Sequence, residues 1–234
     1  MTNQNSTKEG TLFRHSPLTR IGAIFALVAA LAFGMAACGD DDSTSADQTS
    51  AEDVKPVAEI PDLTGVSTDV TLDSGFVQAL TDLKVTPGPV GDAEISKDGV
   101  ASFPITGGNV TYYDPASPVR PYVQGIINHE GSGLSLEAGG TTVELTDFVI
   151  DPGTSELTGT VSVDGKEAAS DALLFDLDGS TLKPLETNSD GSATLEGTTV
   201  KLSDDAAALL NKTFGIDALE GGLVIGISSI TVAG

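Results

Sequence analysis

Between Val66 and Val232 apolar and polar positions alternate in run after run, and the runs are separated by Gly- and Asp-bearing breaks. Val66, Val70 and Leu72 alternate with polar neighbours, as do Val143 and Leu145 in the stretch that closes on Phe148-Val149-Ile150. Period two puts one set of side chains on a packed face and the other in water, so each run predicts a half-buried antiparallel strand. The predicted strands are 66–72, 100–105, 109–113, 122–128, 134–137, 141–150, 156–163, 173–177, 193–202 and 223–232. The pairs Asp98-Gly99, Gly107-Gly108, Gly139-Gly140, Pro152-Gly153, Asp164-Gly165, Asp178-Gly179 and Asp190-Gly191 are the turn residues that hairpins favour.

Two segments change to helical spacing. Phe76, Leu80 and Leu83 fall on one face behind Asp73 and Ser74, which can cap a helix, and Thr86-Pro87-Gly88-Pro89 ends it. Further on, Ser203 is a good N-cap. Asp204 and Asp205 sit where the helix dipole favours anions, Lys212 lies in the last turn, and Gly215 can terminate. Many strands with two short helices predict a mainly β domain, an antiparallel β-sandwich, over residues 65–234. A domain of that length buries a core without staples.

The first 64 residues show no such pattern. Residues 21–37 are an apolar run of 17, at the short limit for crossing a bilayer, behind the basic residues Arg14 and Arg20. A basic stretch, an apolar core and small residues before a cut are the parts of an export signal. Met35-Ala36-Ala37-Cys38 resembles a bacterial lipobox, and Cys38 is the only cysteine in the chain, so it has no partner for an internal disulfide. The expectation is a signal peptide over 1–37, acylation of Cys38, and a protein anchored by lipid to the outside of the cell membrane. Residues 38–64, acidic and rich in Ser and Thr, read as a disordered tether.

Composition supports the β reading, because the chain lacks Trp and is rich in Gly. Charge narrows the partners. The leader holds Lys8, Arg14 and Arg20 against Glu9 alone, so the part from Cys38 onward carries 8 basic and 33 acidic residues, about −25. Such a surface repels phosphate backbones, which excludes nucleic acid as a partner.

The chain shows no nucleophile elbow, zinc-protease motif or phosphate-cradling glycine loop, so no catalytic residue and no enzymatic activity are expected. Asp176, Asp178 and Gly179 have some of the composition of a calcium loop, but the glycine comes too early, and a plain turn explains them. His129 is the one histidine after Cys38, so a multi-histidine metal site is not expected within one copy. It ends an apolar strand beside a Gly-bearing turn. Its plainer reading is a strand-end imidazole bonding a nearby carbonyl.

The order of these features resembles the HtaA family of haem-capturing domains of Gram-positive cell envelopes. Residues 74–80 (SGFVQAL) resemble that family's leading helix, 101–105 (ASFPI) its first core strand, and Asn128-His129-Glu130-Gly131 its histidine turn. Residues 145–150 and 157–161 resemble the strands that follow. The resemblance implies a β domain with a ligand site near Phe76, Leu80 and His129, and haem or another hydrophobic molecule as ligand. In that family a helix tyrosine ligates iron and a histidine supports it. This chain has Ala79 or Leu80 where the tyrosine would fall, and its phenols are Tyr112, Tyr113 and Tyr122, none on the helix. The expected function is a non-enzymatic binding module on a membrane-anchored lipoprotein. The alternative is a structural or adhesion-type surface lipoprotein with no small-molecule ligand.

Overall fold

In the computed structural model the described residues are 54–234, so the expected leader, Cys38 and the first part of the tether lie outside them. The domain begins inside the segment assigned to the tether. Strand β1 (Ala58–Ile60) pairs antiparallel with β6 (Gly107–Tyr112), and Leu63 is buried and donates its amide to the Gly108 carbonyl at 2.9 Å. Three residues are too few to show period two, so β1 exists only because the edge of β6 offers it a ladder.

After β1 come β2 (Gly65–Leu72), helix α1 (Ser74–Leu83), β3 (Thr86–Gly91), β4 (Glu94–Ile95) and β5 (Val100–Pro104), then β6. The second half holds β7 (Val123–Ala138), β8 (Thr141–Asp151), β9 (Glu156–Val163), β10 (Lys166–Asp178) and β11 (Glu186–Thr187). It ends with β12 (Ala193–Leu202), helix α2 (Asp204–Phe214) and β13 (Val224–Ala233). The protein is mainly β, with two helices, as the hydrophobic pattern predicts.

All 13 strands belong to one antiparallel sheet, ordered β1-β6-β7-β8-β9-β10-β12-β13-β2-β5-β4, with β3 on β7 and β11 on β12. The two facing layers of a sandwich are therefore halves of a single curled sheet. Register shifts bend it: β10 carries three against β9, and β12 two against β13. Each adds a residue to one strand only, which increases local twist and coils the sheet. The curl closes between β5 and β6. There the Ile105 amide donates to Val66 of β2 at 2.8 Å, and the next amide, Thr106, donates to Asn128 of β7 at 2.8 Å.

β7 corrects the expectation of two strands joined by a turn. It is one 16-residue strand whose first half pairs with β6 and whose second half pairs with β3. The change of partner falls at a bulge after His129, where the register against β8 shifts between His129 and Gly133. Gly131 has φ +73°, its amide donates to Asp147 Oδ1 at 2.9 Å, and its carbonyl accepts from Asp92 at 3.1 Å. Thr86-Pro87-Gly88-Pro89 does end α1, but it also continues as β3. Prolines are tolerated there because β3 is paired on one side, against β7.

Two turn readings are also corrected. Gly107-Gly108 lies inside β6, at a close crossing of backbones: a Cβ on Gly108 would stand 2.0 Å from the Ile126 carbonyl oxygen. Asp178-Gly179 opens a 3₁₀ turn over Gly179–Thr181 instead of a hairpin, with the Asp178 side chain accepting from the Ser180 amide at 2.9 Å.

The helices cover one end of the curl. Asp73 caps α1 by accepting from Gly75 and Phe76, and Lys84 ends it in the left-handed conformation. Ser203 caps α2 from the Ala206 amide at 3.0 Å and donates its own hydroxyl to Leu173 of β10 at 2.8 Å, and Gly215 closes the helix. Leu80 and Leu83 of α1 meet Leu210 and Phe214 of α2 around a small apolar space with Leu136 and Leu145. Each of the large aliphatic side chains buried there contributes about 1.5–3 kcal/mol relative to exposure.

Candidate functional site: an apolar cavity inside the curled sheet

Inward-facing side chains of the sheet do not fill its interior. A cavity of about 330 Å³ runs from Phe76 of α1, at the helix-covered end, toward the opposite end of the strands. There its rim is formed by half-buried Tyr122, Pro152, Leu182 and Leu185 and by exposed Ser155 and Ser180. The walls are aliphatic and aromatic. Phe103 and Phe148 meet edge-to-face at 5.2 Å, Phe148 and Phe175 at 6.4 Å, and Tyr112 and Tyr122 at 5.8 Å near the rim. None of the side chains lining it, among the described residues, is charged. For a chain of net charge −23 this is a sharp separation, with the charge kept on the outer face.

Of the residues expected to contact a ligand, Phe76 and His129 both line this cavity. Leu80 does not; it lies under α1 in the separate small space between the helices. Sequence reading did not single out Ser228, Thr68, Tyr112 or Tyr122 as lining residues, because inward orientation from three different strands and from the segment before β7 is not a local signal.

His129 is 1% exposed and is fixed at both ring nitrogens. Nδ1 lies 3.2 Å from the Phe148 carbonyl oxygen, which can only accept, so Nδ1 carries the proton. Nε2 is then the acceptor, and the Thr68 hydroxyl of β2 donates to it at 2.8 Å. Burial pushes the imidazole pKa down to about 4, with the Phe148 carbonyl opposing this weakly, so His129 is neutral at pH 7. This is a satisfied histidine that ties β7 to β2 beside the seam where the curl closes.

These residues do not fit an iron-bound haem. The Nε2 lone pair is occupied by Thr68, and α1 carries no phenol. Tyr122 reaches the rim, but burial and the neighbouring Tyr112 push its phenol up despite Arg120, which disfavours the phenolate that iron(III) takes. The cavity also presents no cation to haem carboxylates. Among the described residues no group of three or more His, Cys, Asp or Glu side chains gathers as a metal site. Asp178, from the calcium-like segment, is instead bonded by Lys201 at 2.7 Å, which with Ser180 holds its carboxyl well below the usual range.

No protein-family model matches the chain, and no curated protein matches it by sequence. Among solved structures, the C-terminal domain of HtaA from Corynebacterium glutamicum matches with a TM-score of 0.50 and 15% identity, over 73% of this chain and 97% of that one. A domain-swapped dimer of a variant of the same domain matches with a TM-score of 0.40 and 15% identity, over 69% and 92%. At that identity the likeness concerns architecture, and it agrees with the order of features in the sequence. The chain has an HtaA-like fold: a large curled antiparallel sheet with two helices.

Proposed function

We propose that this protein is a cell-envelope lipoprotein, held by an acylated Cys38, that displays a non-enzymatic binding module for a neutral hydrophobic ligand. The observation that carries the reading is the 330 Å³ cavity lined without a charged side chain. Its size is at the lower end of the range for small-molecule pockets, and convergent apolar walls with a few polar groups are what such pockets share. Apolar surface moved from water into these walls gains roughly 25 cal/mol per Å². The HtaA-like fold supports a binding role at the level of architecture. The resemblance names haem, but the engaged His129 and the absent helix phenol favour a ligand held without an iron bond. The Val57 amide donates to the Tyr112 carbonyl at 2.8 Å, so the described start of the chain joins the domain at the cavity wall.

The test uses the compact unit Asp47–Gly234, which contains all of the buried core among the described residues. Titrated with the neutral dye N-phenyl-1-naphthylamine, it is expected to give a saturable blue-shifted emission, whereas hemin gives no Soret band of a ligated iron. Absence of dye binding would remove the module reading, and a ligated-haem spectrum would replace the neutral ligand with haem. Mass spectrometry of the native chain tests the anchor, with a diacylglyceryl-modified Cys38 at the N-terminus as the expected species.

A further inference from the structure

One group in the cavity wall has no explanation within the fold. Ser228 of β13 is 2% exposed, lines the cavity, and its hydroxyl has no hydrogen-bond partner among the described residues. The surrounding strand explains why. Ile227 faces solvent, so Ser228 points inward, opposite Val70 of β2 on one side and Thr198 of β12 on the other. Several other small hydroxyls in and beside these strands are bonded. Thr194 and Thr231 meet at 3.0 Å on the outer face, Thr68 holds His129, and Ser203 holds Leu173. A buried hydroxyl left without a partner costs about 1–3 kcal/mol, and alanine at the same position would remove that cost.

We propose that Ser228 is the hydrogen-bonding anchor of the cavity, and that the ligand is a neutral, mainly hydrocarbon molecule carrying a hydroxyl or carbonyl oxygen that reaches it. A hydroxyl both donates and accepts, so either oxygen type completes it. A carboxylate is disfavoured, because no cation faces the cavity and an unpaired charge inside these walls is expensive. The polar groups of the cavity divide the work. His129 and Thr68 satisfy each other and set the shape, and Ser228 reads the oxygen.

The inference rests on the binding-module reading, and the test separates the two. Bound N-phenyl-1-naphthylamine is displaced from the Asp47–Gly234 unit by 1-decanol, decane or decanoate, in the native sequence and in Ser228→Ala. Decanol is expected to lose about tenfold in affinity in the variant while decane changes by less than about twofold, since one neutral hydrogen bond is at stake. Decanoate is expected to be the weakest competitor for the native unit. Undiminished decane displacement shows that the variant keeps a folded cavity. Equal loss of decanol and decane, or no loss of decanol, overturns the anchor but leaves the module standing. Failure of the native unit to take up the dye at all removes both.

Discussion

His129 shows how one side chain links packing to solution behaviour. Its folded pKa, about 4, lies below the ordinary 6.5, so between those values the unfolded chain binds a proton that the folded protein refuses. The contribution is fully present above pH 6.5 and is lost as pH falls toward 4, on the order of 3 kcal/mol in all. Urea unfolding of the Asp47–Gly234 unit at a series of pH values is expected to show that slope, and His129→Gln, which cannot titrate, to flatten it. An unchanged slope in the variant would remove His129 as its cause; the depressed pKa of Asp178 also makes stability fall with acid, but only below the usual carboxylate range, outside this window. At this scale the sequence singled out His129 and Phe76, and both line the cavity. The plainer reading of His129, an imidazole bonding a carbonyl, holds at Phe148; the second partner, Thr68, was not legible because it lies 61 positions away and meets the ring only once the sheet has closed.

Among the elements, those controlled by neighbours in sequence were legible. Both helices begin at the caps read from Asp73 and Ser203, and α2 ends at Gly215, because a cap is a bond between residues two to four apart; the end of α1 at Lys84 was not read. Ser203→Ala removes the cap of α2 and the tie to Leu173, and a loss of about 1–2 kcal/mol is expected in urea unfolding. β1, β3 and the continuity of β7 were missed because each depends on a distant edge. Gly91 shows this dependence. It has φ +60°, and a Cβ there would stand 1.9 Å from the Gly131 carbonyl oxygen, at the bulge where β7 changes partner. Gly91→Ala is expected to detach the end of β3, costing about 2 kcal/mol or more, with faster amide exchange over residues 86–91 as the local sign.

On the scale of the whole molecule, the curl makes an interior and the charge pattern gives it its character. A chain of net charge −23 keeps its ionised groups off the cavity wall, so solubility outside and affinity for apolar matter inside are served by opposite faces of the same strands. Filling the space separates the cavity's role in binding from its role in stability. Val200, buried on β12, lines it, and Val200→Phe places the added volume where no atoms stand. Uptake of N-phenyl-1-naphthylamine is expected to fall at least about tenfold, while stability shifts by less than about 1 kcal/mol, because the ring meets open space instead of packed side chains. A large loss of stability in calorimetry would mean that the space is too narrow to hold a ligand.

The mainly β class, the two capped helices, most strand positions and the acidic exterior follow from the sequence alone, because each is set by side-chain period or by bonds among near neighbours. Only the tertiary structure decided that the strands form one sheet, that the sheet closes through Ile105 and Thr106, and that a cavity remains inside with Ser228 turned toward it. Alternation specifies which face of a strand is apolar but not which distant strand it will oppose, nor how completely the opposing side chains fill the gap. Those depend on bulges and closure contacts between residues far apart in the chain.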